Sequence, residues 1–199
     1  MKRVLLSTVL GLLLSSSSSV LGAAEKYDVD ASHSYISFTV KHMGVSSVRG
    51  AFKEYTAELM VDEESVENSS IVLKIDAASV DTDNQRRDDH LRSADFFEVE
   101  TYPEIVFQSK KIAKQGDGYA VTGDLTIKDV TKEITFGLEI NGPIKDPWGN
   151  LRTGAEADLI IDRQDYGVKF SNIMDNGGLV VANDVKISIA LEASRKLEE

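Results

Sequence analysis

Three histidines, the serines beside them and one dense ion cluster carry whatever reactive chemistry this chain has. His33, His42 and His90 are the only imidazoles, and there is no cysteine. The three histidines make no tight metal-ligand spacing, so no motif points to a metal. Ser34 adjoins His33, and Ser93 follows His90 by three. Neither serine stands in the Gly-x-Ser-x-Gly turn that exposes an activated nucleophile. No Gly-rich phosphate loop of Walker or Rossmann form is present. His90 lies among Arg87, Asp88, Asp89 and Arg92. A carboxylate beside an imidazole can hold one tautomer for acid–base work, which would make His90 and Asp88 a catalytic pair. The same residues build an ion-pair lattice that fastens a helix. The expectation is structural histidines, no catalytic residue, no metal and no cofactor.

The element that must position this cluster runs from about 84 to 97. Thr82 and Gln85 have the spacing of a capping box. Asp88 and Arg92 lie four apart with the acid first, the favourable order on a helix face. Leu91, Ala94 and Phe97 fall on one side of such a helix. Tyr102-Pro103 stops helical continuation. A short amphipathic helix between strands, presenting Leu91, Phe96 and Phe97, is expected to plug one end of a β structure.

Almost everything else after residue 30 alternates with period two, the mark of half-buried strands. Ile36, Phe38 and Val40 form one such set. Val48 to Val61 is a long run with Tyr55, Ala57, Leu59 and Val61 on one face. Ile71 to Ala77, Ile105 and Phe107, Tyr119 to Ile127, Ile134 to Ile140, Ala155 to Ile161 and Val185 to Leu191 follow. Gln115-Gly-Asp-Gly118, Lys128-Asp129 and Asp146-Pro-Trp-Gly-Asn150 carry hairpin chemistry, and Trp148 is expected at an exposed tip. The connection from Arg163 to Ala182 is long enough to act as a cover. About eight strands joined by hairpins predict an all-β antiparallel barrel or sandwich with a short helix near one end, and the length of the strands favours the barrel. Such a barrel holds packed side chains or one elongated ligand. The small residues Ala155 and Ala157 favour a hollow. Phe38, Leu59, Leu73, Ile75, Phe107, Phe136, Leu159 and Ile187 are the candidates to line it, with Leu91, Phe96 and Phe97 at the rim. Ordinary core packing would use the same residues.

Residues 1–24 read as a cleaved leader. Lys2 and Arg3 precede an apolar run, Val4 to Leu14, too short to span a bilayer, and Gly22-Ala-Ala24 offers a cleavage site. The remaining chain of about 175 residues, 25–199, is expected to be one domain, exported to a periplasm. Removing Lys2 and Arg3 from the 22 basic residues leaves 20 against 33 acidic ones, a formal charge of −13. That excess disfavours a nucleic-acid partner and argues against resting on anionic lipid. No stable membrane insertion is expected.

The order of motifs resembles the YceI family of exported lipocalin-like proteins. They are Asp30-Ala-Ser-His33-Ser-Tyr-Ile-Ser-Phe38 to Gly44, Val48-Arg-Gly50-Ala-Phe52, and Ala78-Ser-Val-Asp-Thr82. Arg87-Asp-Asp-His90-Leu-Arg-Ser-Ala-Asp95-Phe-Phe97 comes next, then Tyr102-Pro103 and Val121-Thr-Gly123-Asp-Leu-Thr-Ile127. Gly149 to Gly154, Asp162-Arg-Gln-Asp-Tyr-Gly167 and Gly177-Gly178 complete the set. The resemblance spans nearly the whole of 25–199. It implies a barrel that holds a long apolar chain, typically a polyisoprenoid or isoprenoid quinone, and it implies a homodimer. It makes the protein a non-enzymatic binder working in transport or storage. Fatty-acid-type amphiphiles are the alternative ligand. A lipid-modifying enzyme using His90 and Asp88, and a structural barrel with a filled interior, stay open.

The size of such a ligand sets terms. A tail of roughly forty carbons at ~0.8 kcal/mol each would gain ~30 kcal/mol against water, above the roughly 20 kcal/mol ceiling of non-covalent affinity. Chain ordering offsets part of this, and the relevant competitor is the membrane. Strands of ten residues tilted near 45° give a barrel only ~23 Å tall, so a long tail must bend or protrude.

Overall fold

A computed structural model describes residues 24–175 and 177–197. The leader assigned to 1–24 lies outside them, Ala24 apart. The strands are β1 (Glu25–Val29), β2 (Tyr35–His42), β3 (Ser46–Phe52), β4 (Tyr55–Val61), β5 (Ser70–Asp76), β6 (Val80–Asp81), β7 (Glu104–Gln115), β8 (Gly118–Ile127), β9 (Val130–Lys145), β10 (Asn150–Asp162) and β11 (Val181–Lys196). Helix α1 (Gln85–Arg92) stands between β6 and β7.

These strands fill eight positions in a closed antiparallel barrel. β1 and β2 run end to end along one edge of β11, pairing at Val29–Ala193 and at Ile36–Ile189. β3 and β4 share the next position, and β5 and β6 the one after, because β2 pairs with β3, β1 with β4, β4 with β5 and β3 with β6. From β5 the sheet continues through β7, β8, β9 and β10 to β11, which closes the ring. The run Val48 to Val61, expected as one strand, is therefore two strands with a break at Lys53-Glu54. Lys53 and the β5 terminus bond around the break, through Lys53 N–H to the Ser79 carbonyl and Asp76 N–H to the Glu54 carbonyl.

Two-residue turns make the β7–β8 and β8–β9 corners, and left-handed backbone at Gly116 and Lys128 supplies the hairpin twist. At the β2–β3 corner Met43 and Gly44 both have positive φ, 53° and 73°. β9 and β11 run 16 residues each, so one wall is taller than ten-residue strands would give.

The alternation resolves into an apolar lumen and a polar exterior. Leu73 is 3% exposed while its neighbour Lys74 faces solvent. On β9, Ile134, Phe136 and Leu138 face inward between exposed Glu133, Thr135 and Glu139. An outer-membrane barrel has the reverse order, apolar outside and polar within. No helix among the described residues is long and apolar enough to cross a membrane.

One end of the barrel is covered by the segment from β6 to β7. Helix α1 is shorter than the expected 84 to 97, and residues 93–102 continue in turns. Its N-cap is Asn84, whose side chain accepts from Arg87 N–H at 3.1 Å, so Thr82 and Gln85 form no capping box. Asp88 does not pair with Arg92. It is buried and accepts from the Thr82 backbone N–H and hydroxyl, while Arg92 donates to the Ala78 and Val80 carbonyls and to Asp89. Ala94 is exposed, so the expected Leu91–Ala94–Phe97 stripe breaks there.

Candidate ligand-binding cavity

A cavity of about 1360 Å³ runs through the barrel. Small-molecule pockets usually measure ~300–1,000 Å³, so this one suits a long ligand. All eleven candidate residues line it. Phe38, Leu59, Leu73, Ile75, Phe107, Phe136, Leu159 and Ile187 form its walls, and Leu91, Phe96 and Phe97 its covered end. Ala155 and Ala157 also face it, where larger residues would fill it.

Close packing of small against large residues shapes the walls. A Cβ on Gly50 would run into the Phe38 ring and come 2.7 Å from Thr82 Cγ2. The outer edge of the Phe38 ring thus occupies the space over Gly50, and the ring meets Phe52 at 5.8 Å. Gly123 gives the Phe107 ring the same clearance, and Phe107 packs on Phe136 at 5.3 Å.

The covered end is an aromatic lid. Phe52 meets Phe97 edge-on at 5.7 Å. His90 stands edge-on to Phe96 and to Phe170, each at 5.0 Å, and Phe96 lies 4.9 Å from Phe170. Phe170 belongs to the long connection after β10, so His90 ties the two covering segments together. Its Nε2 lies 2.8 Å from Asp95, not Asp88. Sequence reasoning did not single out Phe170, nor place Ile36, Val40 and Phe52 among the lining residues, although all four line the cavity. For Phe170 the available signal was the alternation Val168-Lys169-Phe170 inside an otherwise polar connection.

Two arginines, one buried and one half-buried, hold the lid to the barrel. Arg163 is 5% exposed and donates to the Val168, Val181 and Ala182 carbonyls and to Asn183 Oδ1. Burial lowers its pKa from the ordinary arginine range. Arg87 donates through Nε and Nη2 to the Thr82 hydroxyl and carbonyl. These guanidiniums satisfy backbone carbonyls at strand ends, as buried polar groups require.

The candidate nucleophiles are not aligned for attack. Ser93 Oγ donates to the His90 carbonyl, and Ser34 Oγ to the Asp30 carbonyl. Ser32 and Asp30 both meet His33 at Nδ1, so no Ser–His–Asp relay forms through the ring. The Asp30 hydrogen bond raises the His33 pKa, and the Ser32, His33 and Arg152 hydrogen bonds hold Asp30 below the carboxylate range. Asp30, His33 and Glu192 lie close enough to ligate one ion. However, the Arg152 guanidinium already bridges Asp30 at 3.0 Å and Glu192 at 2.5 Å. His42 lines the cavity at the β2–β3 tip. Trp148 is 78% exposed at the β9–β10 tip.

The profile described as YceI-like domain matches residues 27–193. The chain belongs to the YceI-like family. It is 40% identical over 169 residues to a UPF0312 protein of Photorhabdus laumondii, covering 85% of this chain and 88% of that one. BcnA of Burkholderia cenocepacia superposes with a TM-score of 0.73 at 29% identity, over 83% of this chain and 99% of BcnA. A polyisoprenoid binding domain from Saccharophagus degradans shares the fold, with a TM-score of 0.61 at 18% identity over 84% and 97% of the two chains. The YceI-like motifs divide by place. Val48 to Phe52 forms wall, Arg87 to Phe97 forms the lid, and Asp162 to Gly167 anchors the second covering segment.

Proposed function

We propose that this chain is a non-enzymatic binder of a long-chain isoprenoid lipid, a polyprenyl chain or an isoprenoid quinone, which it carries or stores in the periplasm. The observation that carries this proposal is the cavity. It is long, apolar and lidded by aromatic residues. The Saccharophagus degradans domain of the same fold, described as polyisoprenoid binding, supports the choice of ligand class. The cavity side chains are hydrocarbon, with polar groups gathered toward its ends, which suits a tail better than a small polar substrate. The serine and histidine geometry supports binding over catalysis.

The leader-like residues 1–24 support export, and protein recovered from the periplasm is expected to begin near Glu25. Recovery there of a chain still beginning at Met1 would count against this. The ligand is tested by extracting purified protein with organic solvent and identifying the lipid by mass spectrometry. A stoichiometric isoprenoid is expected. A stoichiometric fatty-acid-type amphiphile would replace the isoprenoid assignment, and protein that takes up no lipid from vesicles would end the carrier assignment.

A further inference from the structure

We propose that the β2–β3 hairpin and the connection between β10 and β11 form one edge that docks the cavity onto a lipid bilayer bearing anionic headgroups. The proposal rests on the carrier function above and adds its partner surface.

Three apolar side chains stand out on this edge. Val45 is 85% exposed, Ile173 71% and Met43 42%. Single exposed apolar residues are ordinary, but these converge. Met43 N–H donates to the Val180 carbonyl at 2.9 Å, which holds the hairpin tip against the connection, and Ile173 bridges to Leu179 within that connection. The cavity reaches the same place, lined there by His42, Ser46, Val48, Val180 and Val181. A tail that left a membrane through open water would expose each methylene in turn. An apolar edge at the opening removes that exposure.

Charge selects the kind of surface. The chain holds 33 acidic residues, yet none falls between Ala31 and Lys53, or between Tyr166 and Met174. Those two segments build the edge. Lys41 and Arg49 are exposed on the outward face just behind the hairpin tip, opposite Ser47 and Thr39 in the ladder, and Lys169 is exposed on the connection. Long cationic side chains so placed reach headgroups while the tip enters the acyl boundary. The acids at this edge are Asp165, which pairs with Lys132 at 2.7 Å, and Asp175 and Asp184, and the adjoining lid adds Asp95, held by His90 at 2.8 Å. The opposite end also exposes apolar groups, Trp148 and Ile144, but there exposed Glu64, Glu67 and Asp117 are interspersed with Lys114, Lys145 and Lys196, and Glu63 pairs with Arg195, so cations do not stand there without acids among them. The formal charge of −13 on residues 25–199 disfavours contact with anionic lipid over the surface at large and leaves this edge as the exception.

The test is cosedimentation of the 25–199 protein with vesicles of phosphatidylglycerol and phosphatidylethanolamine, and with vesicles of phosphatidylcholine alone. Binding is expected on the anionic vesicles and is expected to weaken with salt. Val45→Asp and Ile173→Asp, neither on the cavity wall, should each reduce it about tenfold, the scale of one buried aliphatic side chain. Trp148→Asp should leave it unchanged. Lipid content by solvent extraction and circular dichroism should match wild type in all three. Loss of vesicle binding in Trp148→Asp with retention in Val45→Asp would overturn the proposal. So would equal binding of all variants, or a dimer in sedimentation equilibrium that Val45→Asp dissociates without affecting vesicle binding. Vesicle binding by a protein that never takes up lipid would instead break the carrier function and leave the docking edge standing.

Discussion

Asp88 spends both of its short contacts on Thr82, taking the backbone N–H at 3.0 Å and the hydroxyl at 2.5 Å. Arg87 closes the same knot by donating to the Thr82 hydroxyl and carbonyl. The lid is thus tied to the end of β6 through one threonine. The neighbouring arginines depend on backbone carbonyls for their partners and not on Asp88.

Asp88→Ala is expected to loosen the lid without unfolding the barrel. It strands a buried N–H and leaves Arg87 and Arg92 paired, a cost of ~1–3 kcal/mol per unsatisfied group. The urea midpoint should fall, and exchange of lipid into vesicles should quicken, with the strand signal in circular dichroism retained. Unchanged exchange would show that the Thr82 knot does not govern the lid.

His90→Gln keeps a hydrogen bond for Asp95 and removes the ring that meets Phe96 and Phe170. Lipid stoichiometry should stay close to wild type, with modestly faster exchange. Mass spectrometry of bound lipid should find the same species in both proteins. A lipid chemically altered by wild type and left unaltered by His90→Gln would establish an enzyme.

Leu73→Asp and Phe107→Asp each put a carboxylate on the cavity wall, where an unpaired charge is costly. Both should lose lipid before they lose export. Lys74→Asp, on the outward face of the same strand as Leu73, should retain it. Equal lipid content in all three would mean the inner face is assigned wrongly.

Gly50→Ala should be destabilising although alanine suits a strand better. The added methyl group meets the Phe38 ring and Thr82 Cγ2. Overpacking of this kind costs typically ~1–3 kcal/mol. The wall and the lid knot should be disturbed together, read as a lower urea midpoint and reduced lipid content. Phe38→Leu in the same chain should restore part of the loss.

Asp146 makes the β9–β10 corner dependent on pH. Burial pushes its pKa up, but hydrogen bonds from the Asn150 side chain and from the Asn150 and Trp148 N–H groups, with Arg152 beside them, outweigh that and hold it at about 2. The folded state therefore binds its proton less readily than the unfolded chain. The stabilisation is complete above the ordinary carboxylate range, near ~4, and is lost as pH falls through about 2. The gap in melting temperature between wild type and Asp146→Asn should be constant at neutral pH and narrow from pH ~4 downward. A gap that persists at pH 2 would assign the effect to geometry alone.

The barrel was legible because its signal is local. Ile134, Phe136 and Leu138 alternate wherever the chain goes, and Gly116-Asp117 turns within its own residues. Tertiary bonds were not legible. Thr82 carries the signature of a cap, but Asp88 lies closer to its hydroxyl than any helix N–H, and Asn84 takes the cap. Asp88 and Arg92 have the right spacing for a pair, yet the carbonyls at the end of β6 compete for the guanidinium and win. The break at Lys53-Glu54 has no glycine or proline to announce it. It follows from β1 and β2 offering two offset edges to the strand beside them. Among the cavity residues, those on long strands follow from alternation. Phe170 lies on a connection whose path no periodicity describes.

The closing seam has a consequence for when the protein can hold anything. Among the described residues β1 and β2 stand at the start and β11 is the last strand, and Ser34 Oγ and Glu192 meet across 158 residues of sequence. Until β11 is in place, the lumen is an open trough with two unpaired edges. A chain that crosses a membrane from its N-terminus as an unfolded thread brings that strand across last. On the export proposal, no cavity exists on the side of synthesis, and the ligand is chosen from the lipids of the compartment where the ring shuts. Contacts of such sequence separation also form slowly, so the window between arrival and closure is the interval in which a tail can be enclosed by folding, without having to enter through the lid.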